Sequence, residues 1–401
     1  MKDYFRSDIM FRYVKKTVKY VLIALCVSIF VLLIMPVLYL FELFHPFRFG
    51  RVMNSRIGEM GPGLDQFLRK KKLGLLPANT TYFFALYDKT ANHQMARMFK
   101  RTDLNIITNW LYTRFYEFCT PVLTRTRFYV MTAGNFFQYR LYTGADATLS
   151  FTPEEETRGR AFLDSLGITE KDWFVCFHTR DPLYLKNWEP TKENTYHNFR
   201  NSDVSIYIDA ARLINSRGGY VLRMGALVEK KFDGVHPRTI DYANQYRDDF
   251  LDMYLCAKCR FFFGDVSGLW TVIAMFDKPV VCANYTYSDI PCARRSFYIT
   301  KKFYSERERR FLKYNELLKM GLVFVSSGHD YTKQGIRVVD NTPEEITALA
   351  AEALDIMDGK RRVNEETQKI FKGIFPPWHP GHDNNVIINS DFVKNNMELF
   401  S

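Results

Sequence analysis

The chain has 401 residues, enough for two domains with separate cores. Charged residues at 25% and hydrophobic residues at 47% exclude a disordered or collagen-like chain. The 55 Lys+Arg against 44 Asp+Glu leave a net charge of +11, which suits nucleic acid, anionic lipid or a phosphorylated substrate. Zinc-finger spacing, an RNP-type aromatic motif and long basic runs are all missing from the sequence, so nucleic acid is set aside as a partner.

Residues 1–45 form a basic N-terminus and a membrane segment. Tyr20 to Phe41, YVLIALCVSIFVLLIMPVLYLF, carries no charge and no polar face, and is long enough as a helix to cross a hydrocarbon core of ~30 Å. Lys2, Arg6, Arg12, Lys15, Lys16 and Lys19 precede it; Arg48, Arg51, Arg56 and the RKKK run Arg69 to Lys72 follow it. Basic residues on both sides favour a segment that enters and returns on the cytoplasmic face, with Pro36 as its bend. A single span is the alternative.

Residues 46–155 read as an N-terminal Rossmann-like, acceptor-side domain. FRFGRVMNSRIGEMGPGLDQFLRKKKLG predicts a strand, a turn punctuated by Gly58, Gly61 and Gly63, and a helix. TYFFALY and LNIIT are buried strands on either side of a helical NHQMARMFKR. The soft stretch from Tyr142 to Glu156 marks the boundary. Beyond it, TPEEETRGRAFLDSLGI predicts a helix capped by Thr152 with Pro153 at its first position.

Residues 156–360 restart the alternation as a C-terminal Rossmann-like domain that binds a donor. DWFVCFHTRD is strand into loop, SDVSIYIDAARLINSRGG a helix capped by Ser202 or Asn201, and YVLRMGA a strand. RDDFLDMYLCAKC is a helix, and RFFFGDVSG, an apolar helix and PVVCANY close the pattern. Thr342 to Gly359 carries an N-cap, a first-turn proline, early acids and a terminal glycine. Residues 361–401 are a C-terminal helix and tail. The fold class expected is α/β, with two Rossmann-like domains facing a cleft behind an N-terminal membrane helix. Seven scattered cysteines do not form a disulfide framework, and the lone Cys256–Cys259 C-x-x-C reads as ordinary thiols at a helix end.

In an open parallel sheet, ligands bind beyond the carboxyl ends of the strands. The residues that follow the strands of the second domain are therefore the candidates: His178, Thr179, Arg180 and Asp181; Arg223, Met224 and Gly225; Asp265, Ser267 and Gly268. Two arginines, a histidine and a helix start have the composition of a diphosphate site. Each also has an ordinary structural reading: Ser267 and Gly268 as a helix cap, Arg223 as a partner of Asp241 or Asp252, His178 as a buried imidazole. In the first domain Arg56 and Gly58 form an acceptor-side loop in which Glu59 is the acid, either a general base or a partner of Arg56. The sequence has no D-x-D pair, Walker A motif or full G-x-G-x-x-G, so no metal and no cofactor are expected.

FHTRDPLYL, HNFRNSDVSIYIDAARLINSRGGYVLRMG, TIDYAN, DDFLDMYLCAKCRFFFGDVSGL and FDKPVVCANY follow one another in a familiar order. Together they resemble a family of bacterial glycosyltransferases of surface-polysaccharide synthesis. The resemblance runs from FRFGRVMNSRIGEM through GIRVVDNTPEEI. It implies a metal-independent, GT-B-like enzyme of two Rossmann domains, with a nucleotide-sugar donor on the second. HTRD is similar to the H-x-R element of fucosyltransferase-like enzymes, which makes Arg180 the diphosphate contact, with His178, Arg223, Gly225, Ser267 and Gly268 around it. The family's first-domain loop usually reads R-I-G-H, whereas Glu59 stands at the fourth position here. A hexosyl- or deoxyhexosyltransferase of the bacterial inner membrane, facing the cytoplasm, is the expected function. Its partners would be a nucleotide-sugar donor, a lipid-linked or glycan acceptor, and membrane lipids. The alternatives are a non-catalytic component of polysaccharide assembly and a nucleotide-sugar epimerase.

Overall fold

The computed structural model describes residues 17–18, 20–87, 90–132, 138–180, 182–183, 195–232 and 234–401. Asp181 lies outside the described residues. The chain is α/β and divides into two compact units, Met1–Ala91 with Ala96–Gly134, and Asn92–Met95 with Asn135–Ser401. The division falls near residue 134, so the soft stretch and the Thr152-capped helix Pro153–Ser165 both belong to the second unit.

The first unit is built on three parallel strands, β1 (Phe47–Arg51), β2 (Thr81–Ala85) and β3 (Asn105–Ile107), in the order β1-β2-β3. Helices Ile57–Lys72 and His93–Lys100 lie between them in sequence, and Trp110–Leu123 follows. On the other edge of β1 the chain returns in parallel at Tyr129, where the Phe49 amide donates to Phe128 O at 2.7 Å and the Val130 amide to Phe49 O at 2.9 Å. The full spatial order is thus third, second, first, fourth, so the order reverses beside β1.

Gly58, Gly61 and Gly63 are not in a turn. They lie inside the helix Ile57–Lys72, whose N-cap is Arg56; the turn is the short 52–56 segment. Met60 to Arg69 of this helix are buried, including Gly61, Pro62 and Gly63, so packing overrides the poor helix propensity of these residues. The apolar segment forms one helix, Tyr20–Glu42, long and apolar enough by length and composition to cross a membrane. Its middle, Phe30–Ile34, widens into a π-helical turn in which the Met35 amide reaches Phe30 O. Pro36, which supplies no amide for the regular ladder, follows at once.

The second unit holds a seven-stranded parallel sheet. Its strands are β4 (Phe174–His178), β5 (Tyr220–Arg223), β6 (Thr239–Ile240), β7 (Phe261–Gly264), β8 (Val280–Tyr285), β9 (Ser296–Thr300) and, after a small sheet, β13 (Val386–Ile388). The order is β13-β9-β8-β7-β4-β5-β6. Read from β6 to β9 this is the doubly wound 3-2-1-4-5-6 order, with its switch point between β4 and β7. The C-terminal segment is therefore more than a helix and tail, because it adds an edge strand beside β9. The small sheet is antiparallel, with β10 (Lys302–Ser305) between β11 (Arg310–Phe311) and β12 (Ile336–Val339).

The near-continuous apolar runs of β4, β7 and β8 follow from burial on both sheet faces. Phe261, Phe262 and Phe263 are fully buried, each worth roughly 1.5–3 kcal/mol of hydrophobic stabilisation. Phe177 packs against Phe263 at 5.7 Å and Phe232 at 4.9 Å, and Tyr207 meets Phe263 at 5.6 Å. The helix Ile208–Ser216 is entered through a 3-10 turn capped by Asp203, not by Ser202 or Asn201. The helix Pro343–Met357 has the expected Thr342 capping box. Its buried Glu352 accepts from the Ser390 amide at 2.8 Å and the Ser390 hydroxyl at 2.7 Å, which ties the C-terminal segment to it.

Gly264 closes β7 with φ 154°, and a Cβ there would collide with the His178 carbonyl. A Gly264→Ala variant should lose about 3 kcal/mol or more from strain and overpacking. Gly373→Ala, where no neighbour lies within 4 Å, should be neutral or stabilise by about 0.4–1 kcal/mol. Urea unfolding of the two variants checks the contrast.

Candidate functional site

The switch point of the large sheet places the ends of β4 and β7 side by side, with His178 in register with Gly264. Past this pair the two chains are locked together. The Asp265 amide donates to His178 O at 3.2 Å, and both Asp265 carboxylate oxygens accept the Arg180 amide, at 2.8 and 2.9 Å. Asp265 is fully buried. Burial pushes its carboxyl up to about 7, against the pull of the Arg180 amide. The HTR segment is therefore held at the end of β4 by a carboxylate from β7.

His178 sits at this rim half-buried. Its Nδ1 lies 2.9 Å from Met224 O; a carbonyl only accepts, so Nδ1 carries a proton. Gly225 comes next, with φ 151°. A Cβ there would come within 3.5 Å of the His178 ring and 2.7 Å of Val228, so glycine lets the β5 loop pass the imidazole closely. The ends of three neighbouring strands, β5, β4 and β7, thus meet around His178.

Ser267 and Gly268 follow Asp265 in the bend before the helix Leu269–Met275. The Ser267 hydroxyl is buried and has no hydrogen-bond partner among the described residues. Gly268 is the N-cap with ordinary helical angles. The helix has seven residues, so its dipole contributes little; the polar atoms of the bend matter more.

Arg223 lies at the end of β5, two residues before Gly225. Its side chain is 1% exposed and turned into the protein, where it donates to Lys230 O at 3.1 Å and lies 4.0 Å from the buried Asp241. The structural alternative of pairing with Asp241 is the arrangement found. In this structure Arg223 braces the loop after β5.

Arg56, Gly58 and Glu59 come together at the end of β1 in the first unit. Arg56 is the N-cap, Gly58 and Glu59 lie in the first helical turn, and the Arg56–Glu59 ion pair spans 3.9 Å. An acid in the first turn is stabilised by the helix dipole, which by itself accounts for Glu59. Cys256 and Cys259 end the helix Asp249–Lys258 as buried thiols beside Cys176 of β4. Among the described residues no group of three His, Cys, Asp or Glu side chains is placed to hold a metal.

Sequence reasoning singled out Asp265 by position but not as the clamp on Arg180. The signal available was a buried acid directly after an all-apolar strand, which needs hydrogen-bond donors nearby.

No protein-family model matches this sequence, and no curated protein does. Solved structures are similar at low identity. A family 9 glycosyl transferase from Veillonella parvula is 9% identical over 78% of this chain and 98% of its own, with a TM-score of 0.44. The E. coli ADP-heptose LPS heptosyltransferase II is 12% identical over 78% of this chain and 99% of its own, also at 0.44. At these scores the likenesses do not decide the activity of this chain.

Asp265 is protonated more readily in the fold than in the unfolded chain. Between about pH 4 and about pH 7 the native state therefore binds more protons, and stability falls as pH rises through that window. Asp252, also buried and pushed up to about 7, acts in the same direction. Urea midpoints measured from about pH 5 to about pH 8 should decline in the wild type and decline less in Asp265→Asn.

Proposed function

We propose that this chain is a membrane-associated glycosyltransferase. In this reading it moves a sugar from a nucleotide-sugar donor, held at the β4–β7 switch point of the second unit, to a lipid-linked or surface-glycan acceptor. The observation that carries the reading is the set of groups at adjacent strand ends: His178 oriented through Nδ1 by Met224 O, Arg180 clamped at its backbone amide by Asp265, and the buried Ser267 hydroxyl without a partner among the described residues. Strand ends at a switch point are where doubly wound sheets bind ligands, and an arginine, a hydroxyl and glycine-bearing turns are residue types that suit a diphosphate. The order of HTRD, RGGYVLRMG and FFFGDVSG, and its resemblance to bacterial surface-polysaccharide glycosyltransferases, favours a nucleotide sugar over other diphosphates. A GT-B-like pairing of the two units, an inner-membrane location and a cytoplasmic face belong to the same reading.

The chemistry follows from charge. An acceptor hydroxyl oxygen forms the new bond to the anomeric carbon as the bond to the donor diphosphate breaks, and the nucleoside diphosphate leaves with the electron pair. Arg180 and the Ser267 hydroxyl stabilise the negative charge that develops on it, so that the protein supplies the neutralisation without a metal. The acceptor proton passes to His178 Nε2, which the Met224 carbonyl holds in the required tautomer. Glu59, carried by the first unit, is the second candidate base. Gly225 and Gly268 are donor-site backbone positions, Arg56 and Gly58 belong to the acceptor side, and Arg223 supports the donor site from behind.

Sugar transfer to membrane-extracted lipid acceptors should be followed with a panel of nucleotide sugars, with and without EDTA. One donor should be used, and chelation should leave the rate unchanged. His178→Gln should lower kcat by about 10²–10⁴-fold, the range of general-base loss. Arg180→Ala should raise KM for the donor and lower kcat. Turnover by none of the donors, or full activity in both variants, would contradict the reading.

A further inference from the structure

We propose that the apolar N-terminal helix does not cross the bilayer but lies along one face of it, with the first unit as the other half of an amphipathic surface and an anionic lipid leaflet as its occupant. This deepens the membrane-attachment part of the proposed function and is independent of the donor chemistry.

One side of the helix Tyr20–Glu42 packs on the rest of the first unit from Cys26 to Leu38. Ile23, Cys26, Val27, Phe30, Ile34, Met35, Leu38 and Glu42 are half-buried or buried, recurring every three to four residues, while the positions between them are exposed. Five of them pack on the rest of the first unit. Phe30 is 5% exposed and belongs to one cluster with Tyr116, Cys119, Leu123 and Phe128, against which Cys26, Ile34, Met35 and Leu38 also pack. Phe30 meets Phe115 edge-on at 6.3 Å, and Tyr39 meets Phe128 at 5.0 Å. The Cys119 thiol lies 3.7 Å from Cys26 O. At the end of the helix, Glu42 pairs with Arg48 at 2.7 Å and Arg127 at 2.6 Å.

A crossing helix needs about 20 apolar residues in the hydrocarbon core, and takes with it whatever is packed on them. Here the middle of the helix packs on Phe115, Tyr116, Cys119 and Leu123, so a perpendicular crossing would carry the helix Trp110–Leu123 into the hydrocarbon core with it. That helix displays the Arg114–Glu117 ion pair, with side chains 53% and 43% exposed. A charge at the bilayer centre costs about 2.5–3.5 kcal/mol or more, which opposes that placement.

Lying in the interface removes the conflict. An interfacial helix has one apolar and one polar side, and is buried about 5–10 Å into the headgroup and acyl boundary. The sequence of this helix has no polar side; the first unit supplies it. The other side presents Leu22, Leu25, Ile29, Leu32, Leu33 and Leu40, all exposed. Phe41 in the last turn of the helix, and Leu43 and Phe44 just past its end, are 60%, 77% and 81% exposed. Basic residues frame the helix at both ends, as an anionic headgroup layer requires. Lys15, Lys16 and Lys19 lead into it in the sequence, and Arg48 and Arg127 gather at its far end.

The full chain should be expressed in a bacterium as Thr17→Cys and Phe44→Cys variants, both at exposed positions that bracket the helix. A membrane-impermeant maleimide is applied to right-side-out and inverted membrane vesicles, with the wild type as background. Both positions should label in inverted vesicles and neither in right-side-out ones. A spin label at Leu32→Cys should report a depth of about 5–10 Å below the headgroups. Labelling of the two ends from opposite sides, or a label at the bilayer centre, would overturn the proposal while leaving membrane attachment intact. A chain that does not sediment with the vesicles, or one whose Leu32→Cys variant forms a disulfide-linked dimer, would overturn it together with membrane attachment; nucleotide binding by the second unit would be untouched in either case.

Discussion

A carboxylate buried between two strands holds the candidate site in place. Asp265 takes the Arg180 amide on both oxygens, and its own amide returns to His178 O, so the end of β4 and the start of the β7 loop form a single rigid piece. An ionised carboxylate is expensive to bury, and this one has been pushed close to neutral pH by the lack of water around it. The backbone donor offsets that cost only while the loop keeps its shape. Gly264 is tied to the same geometry, since a side chain there would strike the His178 carbonyl. The rim groups inherit their positions from this clamp: His178 is oriented by Met224 from the neighbouring strand, and Arg180 begins immediately at the clamped amide.

Much of the second unit could be read directly from the residues because its signals are local. FVCFH, FFFG and VVCANY are apolar nearly throughout, as strands buried on both faces must be, and Thr152 and Thr342 announce their helices through capping boxes. What escaped depends on distant partners. For Arg223 the sequence offered both a rim contact and a partner in Asp241 or Asp252, and it is the fold that brings Asp241 to 4.0 Å from it after β6. The strands β12 and β13 were missed for the same reason, being short segments whose partners β10 and β9 lie far back along the chain, whereas β11 is a two-residue strand in a local hairpin with β10. Gly58, Gly61 and Gly63 read as a turn, yet burial of Met60 to Arg69 holds them in a helix.

The two units share one constraint. In each, the strand order runs third, second, first, fourth, and in each the residues singled out for chemistry follow the first strand: Arg56 and Glu59 after β1, His178 and Arg180 after β4. The reversal of strand order opens a crevice at that position, so a side chain placed there meets whatever fills it. The first unit adds a second role through Phe30 and its aromatic neighbours, which fasten the apolar helix to the side of the domain. The same residues that complete a small core thus determine how that helix can meet a membrane.

The most direct test of the switch-point account is amide hydrogen exchange of the detergent-purified chain with and without a saturating nucleoside diphosphate. The account predicts added protection concentrated in the peptides that contain His178 to Arg180 and Gly264 to Gly268, and its loss in Arg180→Ala. Protection confined to other strands, or none with any of the uridine, guanosine, adenosine, cytidine and thymidine diphosphates, would contradict it.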